Sequence, residues 1–363
     1  MDTESSPTAA ERDRAADQTF HRAARLDRAL SAWRARRARA KGRRPTVIPY
    51  TGYGSTSWIR VLGRVLLTSE PAGRARPGEP TGSRGWKSFT SVPVDGARVG
   101  LRIAEEDHTV FADRNGIVDA TVQVALPAGW HTITLSSEGS EPAPEKIFVI
   151  SDDERFGLVS DIDDTVMVTA LPRPLLAAWH TFVVNEHARA TTPGMPVLYE
   201  RLREQHPSSP VIYLSTGAWN VAPTLTRFLS RNLYPAGALL LTDWGPTADR
   251  WFRSGREHKQ AALRRLAAEF PKIKWVLVGD DGQHDESIYA DFVSEYPDHV
   301  LAVCIRRLTP GEAVLAGAGA RKDGHTPPSP VPWIYAGDGA GLAAQLERIG
   351  LLGDRARQPE VGG

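Results

Sequence analysis

The stretch FGLVSDIDDT, residues 156–165, sets the reading of the whole chain: an apolar run passes straight into a cluster of carboxylates. A strand buried on both faces reads as such a continuous run, and a parallel sheet is where it belongs. Outward from it the same rhythm recurs in VIYLST at 211–216, GALLLT at 237–242, KWVLVGD at 274–280 and HVLAVCI at 299–305, with WIYAG at 333–337 as a last strand. Between them lie PVLYERLREQ, APTLTRFLSRN and HKQAALRRLAAEF, and GLAAQLERIGLL closes the series. Their apolar residues recur at three- and four-residue spacing, the pattern of helices that bury one face. Strands alternating with helices predict an α/β domain built on a parallel sheet over residues 151–352.

Upstream the pattern differs. Residues 46–150 hold short β-prone runs, SWIRVLGRVLL, ARVGLRI, GIVDATVQVAL, WHTITL and KIFVI, parted by turn formers such as DRNG and PAG. They predict a small all-β sandwich domain, with SEPAGRARPGEPTGSRG at 69–85 as a loop. Residues 1–45 carry no Gly or Pro between Ala9 and Ala40, so a helix is expected, and the segment turns strongly basic in WRARRARAKGRR from Trp33 to Arg44. Such a basic amphipathic arm suits an anionic membrane surface with Trp33 at the interface; a solvated arm is the plainer reading. Residues 353–363 form a short tail.

Lys and Arg together number 44 against 43 Asp and Glu, a formal net charge of +1, which argues against a polyanion binder, so no nucleic-acid partner is expected. A lone cysteine, Cys304 in an apolar run, excludes an internal disulfide and a cysteine-held zinc. The first residues are charged where a secretory leader needs an apolar core, and no apolar run nears the ~20 residues of a membrane span. The expectation is a cytoplasmic protein, with peripheral membrane contact through the basic arm.

Four signals fall at or just beyond the ends of the expected strands, where open α/β sheets assemble their sites. In DIDDT, Asp161 and Asp163 can approach one small volume if the chain turns there, Asp161 to attack phosphorus and Asp163 to protonate the leaving oxygen. Acids in this position also serve as ordinary helix caps. In YLSTG, Ser215 or Thr216 can donate a hydroxyl to a phosphoryl oxygen, although such hydroxyls often only satisfy turns. Lys259 lies near the start of an expected helix, where the helix dipole disfavours a cation, a hint of an anionic partner against the alternative of a solvated lysine. Finally, VLVGDDGQHD crowds Asp280, Asp281 and Asp285 at a strand end. Carboxylates at that density repel one another unless a lysine or a hard cation is present, and oxygen ligands suit magnesium.

In this order, DxDxT, Ser/Thr, Lys and GDxxxxD resemble the motif set of the haloacid dehalogenase superfamily. The resemblance implies a Rossmann-like parallel sheet with a minimal cap. It casts Asp161 as nucleophile and metal ligand, Asp163 as acid/base with its main-chain carbonyl on the metal, and Asp280 as a further ligand to Mg2+. Ser215 and Lys259 would orient and neutralise the phosphoryl group, with Thr216 and Gly217 in the substrate-binding loop. The run from YLSTGAWNVAPTLTRFLSRN to WVLVGDDGQHDESIY is also similar to the catalytic domain of the actin-patch phosphatidate phosphatase family, over roughly residues 153–307. That family removes phosphate from phosphatidate to give diacylglycerol, so the resemblance implies a phospholipid substrate at a membrane surface. Two positions depart from its pattern: Gly217 and Ala218 stand where Ser-Pro is expected, and Asp281 stands where Ser is expected. The short intervals between motifs imply only a small flap over the site, and TALPRPLLAAWHTFVV at 169–184 is the candidate. Competing readings are a phosphatase for nucleic-acid ends or phosphoproteins, and an inactive membrane-binding scaffold.

Overall fold

The computed structural model describes residues 32–69, 91–168, 190–242, 248–282, 284–315 and 329–353. The expected helix before residue 32, most of the loop at 69–85, the flap at 169–184 and the tail beyond Gly353 lie outside the described residues. Within them, residues 32–40 are helical and end the basic arm, with Trp33 exposed and the Arg37 guanidinium 5.5 Å from its ring centre. No helix among the described residues is long and apolar enough to cross a membrane.

Eight strands follow: β1 (Arg44–Ser55), β2 (Trp58–Thr68), β3 (Val92–Pro93), β4 (Arg98–Ile103), β5 (Glu106–Phe111), β6 (Ile117–Gln123), β7 (Gly129–Ser137) and β8 (Ala143–Ile150). Ladders join them into a single sheet of order β3-β2-β1-β8-β7-β4-β5, with β6 also pairing β2, whereas the sequence reading pictured a sandwich of two sheets. The physical reason is β2: at eleven residues it is long enough to pair β1 along one edge and β6 and β3 in succession along the other. β1 was missing from the reading because Pro45, Pro49, Gly52 and Gly54 mask its β pattern.

β1 also carries a bulge between Tyr50 and Tyr53, and a buried acid sits against it. A Cβ on Gly52 would fall 2.8 Å from Glu145 Oε1, so only glycine leaves room for that carboxyl. Glu145 Oε1 accepts the Leu62 N–H at 3.2 Å, and Oε2 has no partner among the described residues. Burial pushes this carboxyl well above the usual range, and the single N–H only partly offsets it.

The second sheet is wholly parallel: β9 (Phe156–Asp161), β10 (Val211–Ala218), β11 (Ala238–Thr242), β12 (Lys274–Asp280), β13 (Val300–Arg306) and β14 (Trp333–Ala336), in the order β11-β10-β9-β12-β13-β14. Every residue of β9 and of β11 is buried, as a sheet covered on both faces requires. Helices α1 (Met195–Gln205), α2 (Ala222–Arg231), α3 (Ala248–Glu269), α4 (Asp285–Glu295), α5 (Pro310–Leu315) and α6 (Gly339–Arg348) lie between or after the strands. From β9 the chain winds outward to β10 and β11, then returns through α3 to place β12 on the other side of β9. The order reverses between β9 and β12, and the carboxyl ends of strands at such a reversal are the usual binding place of open α/β sheets.

The two sheets share a core in which Tyr50, Leu62, Ile117 and Ile150 join the residues of the parallel sheet. Tyr50 stacks on Trp219 with ring centres 4.9 Å apart and donates its hydroxyl to the Trp219 carbonyl at 3.1 Å. Tyr53 and Arg60 both reach Glu269 at the end of α3, at 2.9 and 2.5 Å.

The buried acid yields a first prediction. A carboxyl whose folded pKa is raised costs the fold nothing below its ordinary value, near 4.5, and stability is lost progressively as pH rises from there through the folded value. Glu145→Gln should therefore raise the Tm at pH 8 relative to wild type, with a smaller or reversed difference at pH 4.5. A difference independent of pH would contradict the assignment.

Candidate active site

Asp161 ends β9, and the chain folds back at once: the N–H groups of Val166 and Met167 both donate to the Ile162 carbonyl, at 3.0 and 3.1 Å, and Asp164 N–H donates to Met167 O at 2.8 Å. This turn needs Asp164 at φ 57°, a left-handed conformation that Asp tolerates better than most residues. It brings Asp163 over the end of β10, where Ser215 Oγ donates to Asp163 Oδ2 at 3.0 Å and accepts from Gly217 N–H at 3.0 Å.

Lys259 enters from α3. Its ammonium donates to Asp161 Oδ1 at 2.5 Å and to Asp285 Oδ1 at 2.6 Å, with all three side chains buried. The anionic partner inferred from sequence is therefore present, but the dipole argument for it does not hold. α3 begins at Ala248, so Lys259 lies well inside the helix rather than near its start, because helix formers continue upstream of the stretch read as helical. Asp285 opens α4, and its Oδ2 accepts the Asp280 N–H at 3.4 Å. A Cβ on Gly279 would fall 2.6 Å from that same oxygen, which accounts for the glycine before Asp280.

The carboxylates of Asp161, Asp280 and Asp285 each offer an oxygen within 4.8 Å of the others, all buried. The GDxxxxD spacing includes Asp285 but assigns it no ligand role; five residues beyond Asp280, it falls on the first turn of α4. The carboxylate of Asp163 lies outside this group and is engaged by Ser215, which is compatible with a metal contact through its main-chain carbonyl. The extra acid, Asp281, is turned away: its Oδ1 accepts the Leu308 N–H at 2.8 Å. Thr216 and Gly217 lie in the irregular last part of β10, and their carbonyls accept the hydroxyl of Thr242, at 3.0 and 3.3 Å, a brace that no sequence signal announced.

Burial raises Asp161 well above the usual carboxylate range; Lys259 opposes this, while Asp285 and Asp163 add to it. Asp280 is raised for the same first reason, with Asp285 and Asp161 as its repelling neighbours. Burial alone would depress Lys259, but Asp161 and Asp285 outweigh it and hold the ammonium above the ordinary lysine range. His258 is pushed down to about 4 by burial and rests against the Leu240 carbonyl, so it is neutral at pH 7. Ionised together, the three carboxylates and the ammonium would carry two negative charges. A divalent cation with a preference for oxygen matches both that charge and that donor set.

Residues 156–307 match the family described as Phosphatidate phosphatase APP1, catalytic domain. Among curated proteins, the chain is 26% identical over 151 residues to Phosphatidate phosphatase APP1 of Saccharomyces cerevisiae, covering 41% of this chain and 25% of that protein. It is 23% identical over 158 residues to an uncharacterized protein of Schizosaccharomyces pombe, covering 43% and 26%. The chain thus spans about a quarter of the length of the curated relatives it matches. Among solved structures, a carbohydrate acetylesterase of Xanthomonas citri overlaps 75% of this chain and 73% of its own at 10% identity, with a TM-score of 0.26, a likeness too slight to bear on fold or function.

Removing the cation from this cluster should be severe. Lys259→Met leaves Asp161 and Asp285 buried together and should lower stability by roughly 3–5 kcal/mol, measured by urea unfolding without added metal. The double variant Lys259→Met/Asp285→Asn should recover part of that loss, and a purely additive result would contradict the coupling.

Proposed function

We propose that the chain, whose residues 156–307 match the catalytic-domain family of Phosphatidate phosphatase APP1, is a magnesium-dependent phosphatase of haloacid dehalogenase type. Its reaction is the hydrolysis of phosphatidate to diacylglycerol and phosphate through an aspartyl-phosphate. The observation that carries this reading is the pairing at the carboxyl ends of β9 and β10. Asp161 is held by Lys259, and two residues on Asp163 is held by Ser215, so two carboxylates with different neighbours flank one point.

Asp161 attacks phosphorus with one carboxylate oxygen, forming a new P–O bond as the bond to the diacylglycerol oxygen breaks. Asp163 gives its proton to that leaving oxygen. In the second half, water attacks the same phosphorus, Asp163 takes its proton, and Asp161 is regenerated as phosphate departs. Lys259 remains protonated throughout, and its contact with Asp161 keeps the nucleophile oriented and its charge balanced. Ser215, at the end of β10, orients the Asp163 carboxylate and would offer its hydroxyl to a phosphoryl oxygen. Asp161, Asp280 and Asp285, with the Asp163 carbonyl, would hold magnesium, which would supply positive charge to offset the charge growing on the phosphoryl oxygens.

The lipid substrate draws support from the family and from the basic arm. Seven cations lie between Trp33 and Arg44 with no acid among them, and Trp33 is exposed on the helix that carries four of them. Peripheral contact with an anionic membrane follows from that charge and that indole.

Phosphatidate in mixed detergent micelles should release phosphate with magnesium and none with EDTA, and Asp161→Asn should reduce release to background while retaining its fold. Hydrolysis of a soluble aryl phosphate without release from the lipid would overturn the lipid assignment. Binding to vesicles should require anionic lipid and weaken as salt rises from 0.05 to 0.5 M, about a threefold contraction of the screening length. Equal binding to neutral vesicles would contradict the role of the arm.

A further inference from the structure

A second buried cation, besides Lys259, touches the turn that carries Asp163. Arg306, the last residue of β13, is 3% exposed. Its Nη1 donates to the main-chain carbonyl of Asp164 at 2.6 Å, and its Nη2 donates to Glu312 Oε1 at 2.7 Å. Glu312 is fixed in turn by Thr309, whose N–H and hydroxyl donate to Oε2 at 2.8 and 2.9 Å. The main-chain carbonyl of Arg306 accepts the Asp281 N–H at 3.1 Å. A single residue therefore ties the turn between Asp161 and Met167 to the strand end that carries Asp280.

We infer that Arg306 is a positioning residue for phosphoryl transfer: its guanidinium clamps the left-handed turn at Asp164, and so holds Asp161 and Asp163 in register with each other. Three observations point this way. Asp164 is one of only three non-glycine residues with positive φ among the described residues, and it stands immediately after Asp163. A turn of that kind persists where its surroundings over-determine it, and the carbonyl that Arg306 holds belongs to the strained residue itself. The guanidinium is planar and bridges two acceptors in fixed directions, as an ammonium cannot. Lastly, Arg306 Nε is buried with no partner among the described residues, an unsatisfied donor that an apolar side chain would avoid. Stability alone does not favour such a group in this place; alignment of the loop does.

The inference rests on Asp161 and Asp163 being the reacting pair, and its test separates the two ideas. Arg306→Lys removes the fork but leaves the main-chain link to Asp281, and Glu312→Gln loosens the guanidinium from its outer end. Hydrogen–deuterium exchange on the full chain reads the turn directly, since the N–H groups of Asp164, Val166 and Met167 are all bonded within it. Both variants should speed exchange at 162–167, Arg306→Lys more, with peptides of β10 and β12 unchanged. With phosphatidate micelles, or an aryl phosphate, kcat should fall about tenfold or more for Arg306→Lys with KM within about twofold. Unchanged exchange in the turn, or acceleration spread evenly over the parallel sheet, would overturn the role. Should Arg306→Lys fail to fold, Glu312→Gln decides by the same criterion. A wild-type protein that releases no phosphate sinks the proposed reaction, while the exchange result still judges the clamp.

Discussion

The site depends on one buried arrangement, the ammonium of Lys259 between Asp161 and Asp285. Taking three charges out of water is expensive, and close pairing must compensate for lost hydration. That requirement reaches outward. α3 must lie across the carboxyl end of the sheet to deliver the lysine, α4 must begin at Asp285, and β12 must carry glycine at 279 so that Asp285 can approach. Asp280 is then left beside two neighbouring carboxylates without the lysine, which makes this corner of the cluster the natural seat for a cation.

A second constraint concerns the end of β10. The position of Ser215 is set by Gly217, Thr242 and Trp219: an N–H donor, a hydroxyl brace and an indole stacked on Tyr50. Tyr50 belongs to the mixed β-rich sheet, so that sheet is part of the scaffold of the candidate site rather than a detached neighbour. Arg60 and Tyr53 reinforce the joint through Glu269 at the far end of the helix that carries Lys259. Shifts of the β-rich sheet would therefore reach both Ser215 and Lys259 through rigid elements.

Much of the parallel sheet could be read directly, because buried strands such as FGLVSD and WVLVGD are apolar without interruption and end in residues that cannot stay in a core unpartnered. Asp161, Asp163, Ser215 and Asp280 stand out as candidates for the same reason, whereas Lys259 is singled out by a helix-start argument that the extent of α3 does not support. What escaped was long-range or local-conformational. The partner of Lys259 lies 98 residues away in Asp161, and no local pattern says which acid a buried lysine meets. The GDxxxxD spacing marks Asp285 but not its partner: the first turn of α4 brings it to Lys259, while Asp281 accepts the Leu308 N–H. β1 was hidden by its prolines and glycines, and strand pairing in the β-rich region has no one-dimensional signature beyond turn length.

The central claim is that Asp161 itself carries the phosphoryl group. The most direct measurement is acid quench of the enzyme turning over substrate, borohydride reduction, and peptide mass spectrometry, since an acyl phosphate is reduced to the alcohol and marks its residue as homoserine. The account predicts homoserine at position 161 alone, dependent on both substrate and magnesium. Reduction at another aspartate, or none under conditions where phosphate is released, would contradict it.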